Sequence, residues 1–221
     1  MKTIVGIDFS LNSPAFCIFS DNTFSWGSLT RSERDRDSFM KSSKKPYAVL
    51  SEFDDFSFVF MDKKKMPDDY SEKERIKIDY FQELVDQFWN EISTLCENQE
   101  VYIAMEGLSF ASNGNALIDI SMATALLRKK IVDYTGSQRF HVFSPTSVKK
   151  FAIKGNAKKN ELYEALLTRK LSGTNLETFT KILEENKEEW ITGGGNVNKP
   201  LDDMIDATFI CLYLNELITQ G

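Results

Sequence analysis

Apolar residues arrive in short runs at the start of the chain and in helical stripes further on. Residues 3–9 and 14–20 are β-type runs parted by Asn12-Ser13-Pro14, a turn signal, and "TFSWGSL" (23–29) reads as a third strand. Three short strands in succession predict an antiparallel meander. From 31 to 75 the periodicity stops: "RSERDRDSFMKSSKK" is charged and aperiodic and reads as a loop or arm, with "FSFVFMD" (56–62) a strand inside it. Between Glu72 and Glu97, Ile76, Tyr80, Phe81, Leu84, Phe88, Ile92 and Leu95 recur at helical spacing and mark a core-facing stripe.

After that helix, strands and helices alternate. "VYIAME" (101–106) is a strand, 115–134 an amphipathic helix, and "RFHVFS" (139–144) another strand. "SPTSVKKFA" opens a helix with Ser144 as N-cap and proline at the first helical position. Helices are expected at 158–170, 175–190 and 201–217, with "TGGGNVNK" (192–199) a flexible loop. A meander followed by strand–helix alternation predicts an α/β fold with a mixed sheet and helices on its faces.

Two strands end in acids that break their own apolar pattern: Asp8 and Glu106. Strand ends are where open α/β sheets build sites. The last helix adds "PLDDMIDATFICLYL", which sets Asp203 and Asp206 three residues apart on one face of a largely apolar helix. Like charges at that spacing repel, so something must offset them. N-capping accounts for Asp202 or Asp203, but not for Asp206 among core residues. Together Asp8, Glu106, Asp203 and Asp206 form a hard, all-oxygen donor set suited to Mg²⁺ or Mn²⁺. Two such ions about 4 Å apart can activate water and stabilise a leaving oxygen in phosphodiester cleavage. The one histidine, His141, excludes a histidine-rich metal site and reads as structural.

Charge sharpens this picture. The chain of 221 residues carries a net −6, which alone argues against nucleic acid. Yet Arg128 to Lys170 holds eleven Lys/Arg against Asp133, Glu161 and Glu164, a segment of +8 on an otherwise acidic body. Cys17, Cys96 and Cys211 have no CxxC spacing and read as reduced and buried. No apolar stretch approaches the roughly 18 residues of a membrane span. The N-terminus runs straight into a strand, so no signal peptide is expected and the expected location is cytoplasmic.

At this point "IVGIDFSLNSPAFCI" around Asp8, "VYIAMEGLSF" around Glu106 and "DDMIDA" around Asp203 and Asp206 resemble, in that order, the RuvC family of Holliday-junction resolvases within the RNase H-like fold. The divergent form resembles the stand-alone resolvases of bacteriophages, which would place the chain in the cytoplasm of a bacterial host. The resemblance implies an α/β fold with a central mixed five-stranded sheet flanked by helices, in a single nuclease domain over 1–221 with a charged insertion at 31–75. It also implies four carboxylates binding two Mg²⁺ ions (Mn²⁺ may substitute), and a homodimer that nicks a four-way junction symmetrically. In "SVKKFAIKGNAKKNEL", Lys149 and Lys159 align with two lysines that the family uses near the scissile phosphate, which implies a catalytic role for Lys159. Lys150, Lys154 and Lys158 extend the DNA-binding segment, and Gly155-Asn156 turn between its helices. Phe110, or Ser109 in its place, corresponds to an aromatic that stacks on unpaired bases. Ser10 is a further candidate near the first ion.

Three rivals stand beside this expectation. An RNase H-like nuclease acting on flaps or RNA–DNA hybrids would use the same acids. A non-catalytic branched-DNA-binding protein would not need them. An actin-like ATPase would need a second, similar domain and a second glycine-rich phosphate turn, and "TGGGNVNK" lacks the P-loop context.

Overall fold

The computed structural model describes residues 2–31, 37, 45–108 and 114–220. Strands β1 (Lys2–Asp8), β2 (Ala15–Ser20) and β3 (Thr23–Thr30) form the expected meander. A short helix, α1 (Pro46–Leu50), precedes β4 (Phe56–Phe60), and α2 (Tyr70–Leu95) follows. Then come β5 (Glu100–Glu106), α3 (Gly114–Thr135), a 3₁₀ turn (Ser137–Arg139), β6 (Phe140–Phe143) and α4 (Pro145–Ala152). The Ser144 side chain accepts from the Ser147 N–H, and Pro145 opens α4 as its φ preference dictates. Helices α5 (Lys159–Leu167), α6 (Leu176–Glu185), α7 (Lys187–Trp190) and α8 (Leu201–Gln220) complete the chain. The helix expected over 175–190 is thus two pieces joined at Asn186, and the last helix runs to Gln220.

The strands form one sheet in the order β4-β3-β2-β1-β5-β6. β2 alone runs opposite to the rest, since β4 pairs parallel to β3, and β5 and β6 extend parallel to β1. Among the described residues the sheet has six strands, not five. The extra one is β4, from the segment 31–75, which joins the open edge of β3 with Trp26 opposite Phe56. Rings explain the attachment: Trp26 stacks on Phe56 at 5.0 Å, and Phe179 meets both.

Side chains alternate across the sheet. Val5 and Ile7 of β1, with Val101, Ile103 and Met105 of β5, pack toward α2 and α3. Ile4 and Ala104 pack into the other layer, with α4 to α8. By the same alternation Asp8 and Glu106 belong to the α8 side. The register Ile7↔Met105 makes them next-door neighbours on adjacent strands, about 4.8 Å apart in backbone spacing.

Helix α8 lies directly on β1 because Gly6 has no side chain. A Cβ there would stand 2.3 Å from both the Ala207 carbonyl oxygen and the Cys211 nitrogen. The Cys211 thiol meets the Ile4 carbonyl at 3.5 Å, so helix and strand run in opposite senses. Four helical residues rise about 6 Å and two strand residues about 6.6 Å. Stepping from Cys211 through Ala207 to Asp203 therefore matches stepping from Ile4 through Gly6 to Asp8.

Candidate active site

The sheet edge and the start of α8 thus bring together the four acids singled out in the sequence. Asp203 is 4% exposed. Its Oδ2 accepts a 2.6 Å hydrogen bond from the Ser13 hydroxyl, which is itself buried in the β1–β2 turn. Ser10 holds that turn by accepting from the Ser13 N–H at 3.1 Å. Asp203 and Asp202 sit in the first turn of α8, where the helix dipole favours negative charge.

Electrostatics report how strongly these groups are crowded. Burial holds the Asp8 carboxyl well above its ordinary range, and Asp203, Asp206 and Glu106 raise it further against the opposing pull of Lys159. Glu106 is pushed up to about 7 by burial and by Asp206. Asp203 is pushed up to about 6 by burial and Asp202, although Lys199 and Ser13 oppose the shift. Burial also raises Asp206, against Lys159. Each acid is costly to ionise where it stands.

Two ammonium groups offset part of that cost. Lys159, at the start of α5, lies on Asp206 and comes within 4.0 Å of Asp202. Burial works against its charge, but Asp206, Asp8 and Asp202 prevail and hold it protonated. Lys199 lies on Asp203 and 3.2 Å from Asp202. The pattern gave no notice of Lys199 or Ser13. Lys199 stands four residues before Asp203, a usable signal, but it fell in a stretch read as a flexible loop. That stretch is instead a turn closed by the Ile191↔Val197 bridge and by Thr192 N–H to Asn196 carbonyl at 2.9 Å, with Gly195 at φ +76°. The turn delivers Lys199 to the acids.

Lys149 comes near enough to pull Glu106 and Asp206 downward. Lys150, Lys154 and Lys158 are exposed. Lys154 pairs with Glu161, and Glu161 also accepts from the Lys158 backbone N–H at 2.7 Å, so this carboxylate organises the turn around Gly155 and Asn156. Phe110 and Ser109 lie outside the described residues. Cys17, Cys96 and Cys211 are free thiols and buried. No helix among the described residues is long and apolar enough to cross a membrane.

Among the described residues, no three His, Cys, Asp or Glu side chains are gathered closely enough to hold an ion as they stand. The donor chemistry nevertheless fits a hard divalent cation. Four carboxylates share one corner of the fold, and lysines rather than hydrophobic contacts relieve their repulsion.

No protein-family profile and no curated protein sequence matches the chain. Solved structures of similar shape include Thermus thermophilus RuvC, at 11% identity over 98% of this chain and 97% of that one, with a TM-score of 0.44. The yeast mitochondrial Holliday junction resolvase gives 15% over 97% and 80%, with 0.47. The fowlpox virus resolvase with substrate Holliday junction DNA gives 13% over 98% and 99%, with 0.43. The fold is the expected α/β arrangement, a mixed sheet flanked by helices, with six strands among the described residues where five were expected.

Proposed function

We propose that the chain is a divalent-metal-dependent, structure-specific endonuclease that resolves four-way DNA junctions by phosphodiester hydrolysis. One observation carries the nuclease reading: Asp8, Glu106, Asp203 and Asp206, from three separate elements, meet at one corner, Asp203 buried and the others half-buried, with their ionised forms disfavoured and a lysine on Asp206. A fold gains nothing in stability from such a cluster. A site that must hold cations needs it. Asp8, Glu106, Asp203 and Asp206 would hold two Mg²⁺ ions, with Mn²⁺ able to replace them. Bound there, the ions supply water activation and stabilisation of the leaving oxygen.

The chain's own groups do the rest. Ser13 fixes the rotamer of Asp203. Lys159 is charged throughout the neutral range and stands among the acids, where it can take hold of a phosphate oxygen. Lys149, Lys150, Lys154 and Lys158 line the approach and hold the DNA backbone. Residues 1–221 act as one nuclease unit, and pairing of two copies would match the two-fold symmetry of a junction. The four-way junction is chosen over other branched substrates on the ordered motifs around Asp8, Glu106 and Asp206.

The test is Mg²⁺-dependent cleavage of a labelled four-way junction beside flap, duplex and RNA–DNA substrates, with Asp8→Asn as control. Paired symmetric nicks in the junction alone, absent in the variant, are expected. Cleavage confined to flaps or hybrids would move the protein to another substrate, and no cleavage with either ion would end the nuclease reading.

A further inference from the structure

Lys199 stands four residues before Asp203, in front of α8, and its ammonium covers both carboxylate oxygens of that residue. One of the two, Oδ2, also accepts from Ser13. Lys159 makes a different contact, with Oδ2 of Asp206. A cation that spans both oxygens of a carboxylate occupies the face from which that carboxylate takes hold of a metal ion. Lys199 and an ion at Asp203 are therefore rivals for one place.

The backbone that carries Lys199 is anchored on both sides. Asn198 donates its N–H to the Trp190 carbonyl at 2.9 Å and its side-chain amide to the Glu189 carbonyl at 3.2 Å. Leu201, fully buried, donates to the Asn198 carbonyl at 2.9 Å. The side chain is another matter. It is 43% exposed, against 6% for that of Asp203, so a flexible four-carbon stem reaches in from solvent over a buried carboxylate. Asp202 offers the ammonium a second acceptor at 3.2 Å. Rotation about side-chain bonds is enough to leave Asp203 and remain on Asp202, with the backbone unmoved. Charge favours the exchange, because four crowded acids attract a divalent ion more strongly than a single ammonium.

We propose that Lys199 is the resident counter-cation of Asp203, that it gives up this carboxylate when the corner is loaded with a divalent ion, and that Asp202 keeps the released ammonium. Asp202 is then a fifth functional acid, a positioning residue that holds the lysine rather than the ion. The inference rests on the metal-dependent reading above. Two consequences follow from the exchange. The metal-free corner is closed by the chain's own lysine instead of standing as bare, repelling charge. The ion binds more weakly than the four acids alone would hold it, because each loading must displace Lys199.

The experiment uses the full chain without DNA. Mg²⁺ binding is measured by titration calorimetry. Lysine amines are dimethylated with formaldehyde and cyanoborohydride, with and without Mg²⁺, and read by peptide mass spectrometry, Lys181 at 74% exposure serving as the internal reference. Saturating Mg²⁺ should speed methylation of Lys199 by about fivefold or more and leave Lys181 unchanged. Lys199→Met, which keeps an apolar stem and removes the charge, should bind Mg²⁺ about tenfold more tightly. Asp202→Asn should weaken Mg²⁺ binding, and by at least threefold less when Lys199 is already Met. Mg²⁺ that saturates the chain without altering Lys199 methylation would overturn the proposal, a result that needs no variant to fold. Equal or weaker binding in Lys199→Met would overturn it too, as would an equal cost of Asp202→Asn in both backgrounds. In each of these cases the ion still binds and the metal-dependent reading stands. No binding of Mg²⁺ or Mn²⁺ by either chain would remove the two together.

Discussion

Ser13 and Asp203 are joined by a 2.6 Å hydrogen bond across 190 residues of chain. The bond ties the first turn of the sheet to the first turn of the last helix, and it fixes one carboxylate oxygen. Ser13→Ala leaves a buried carboxylate short of a donor, which costs about 1–3 kcal/mol. Urea unfolding should show that loss, and cleavage should fall more than binding does. Wild-type cleavage in Ser13→Ala would mean that Asp203 needs no help in holding its rotamer.

Asp8→Asn, Glu106→Gln and Asp206→Asn should each lower cleavage by about a thousandfold or more while leaving junction affinity within a few-fold. Cleavage assays in Mg²⁺ and gel shifts in chelator measure the two separately. Any of the three that cuts at the wild-type rate does not belong to the site.

The same acids set a pH dependence of stability. Their folded pKa values are raised, to about 7 for Glu106 and about 6 for Asp203. The native state therefore binds more protons than the unfolded chain, and stability falls as pH rises from the ordinary carboxylate range through these values. In chelator, Tm should be higher at pH 5.5 than at pH 8. Added Mg²⁺ should restore it at pH 8, because the ion binds the native form. Glu106→Gln should flatten the profile and, without metal, raise Tm at pH 8. A metal-free Tm that climbs from pH 5.5 to 8 would contradict the crowding of these acids.

Lys159→Ala should slow cleavage by about a hundredfold, as expected for loss of a charge that meets the reacting phosphate, with little change in Tm. Lys199→Ala should act differently. Its partner Asp203 is almost fully buried, so loss of the ammonium exposes an uncompensated charge and destabilises the metal-free protein by about 3 kcal/mol. Mg²⁺ should recover most of that loss. Equal behaviour of the two variants in the unfolding and cleavage assays would erase the distinction drawn between them.

Much of the site was legible because its residues violate local pattern. An aspartate at the end of "IVGID" and a glutamate at the end of "VYIAME" are costly in apolar strands, and Asp206 is costly in an apolar helix. Those anomalies survive translation into three dimensions because the strand and helix periods are rigid. What escaped was set by tertiary contact. Ser13 looks like any turn serine until Asp203 arrives from the far end of the chain. Lys199 looks like loop until the bridge between Ile191 and Val197 fixes its position. β4 was readable as a strand, but its place in the sheet depends on rings from β3 and α6, which no local pattern records.

The opposed run of α8 along β1, with Gly6 as the point of closest approach, bears on how the corner of acids is assembled on the ribosome. By the time β6 has been synthesised, Asp8 and Glu106 can already be side by side, but Asp203 and Asp206 have yet to be made. Asp8 is separated from Asp203 by nearly the whole chain, so loop closure is among the last events of folding. A nascent chain still lacking its final helix has two of the four acids and no cover over β1. On the nuclease reading proposed above, such a chain has no competent centre with which to cut the nucleic acid that surrounds it during synthesis.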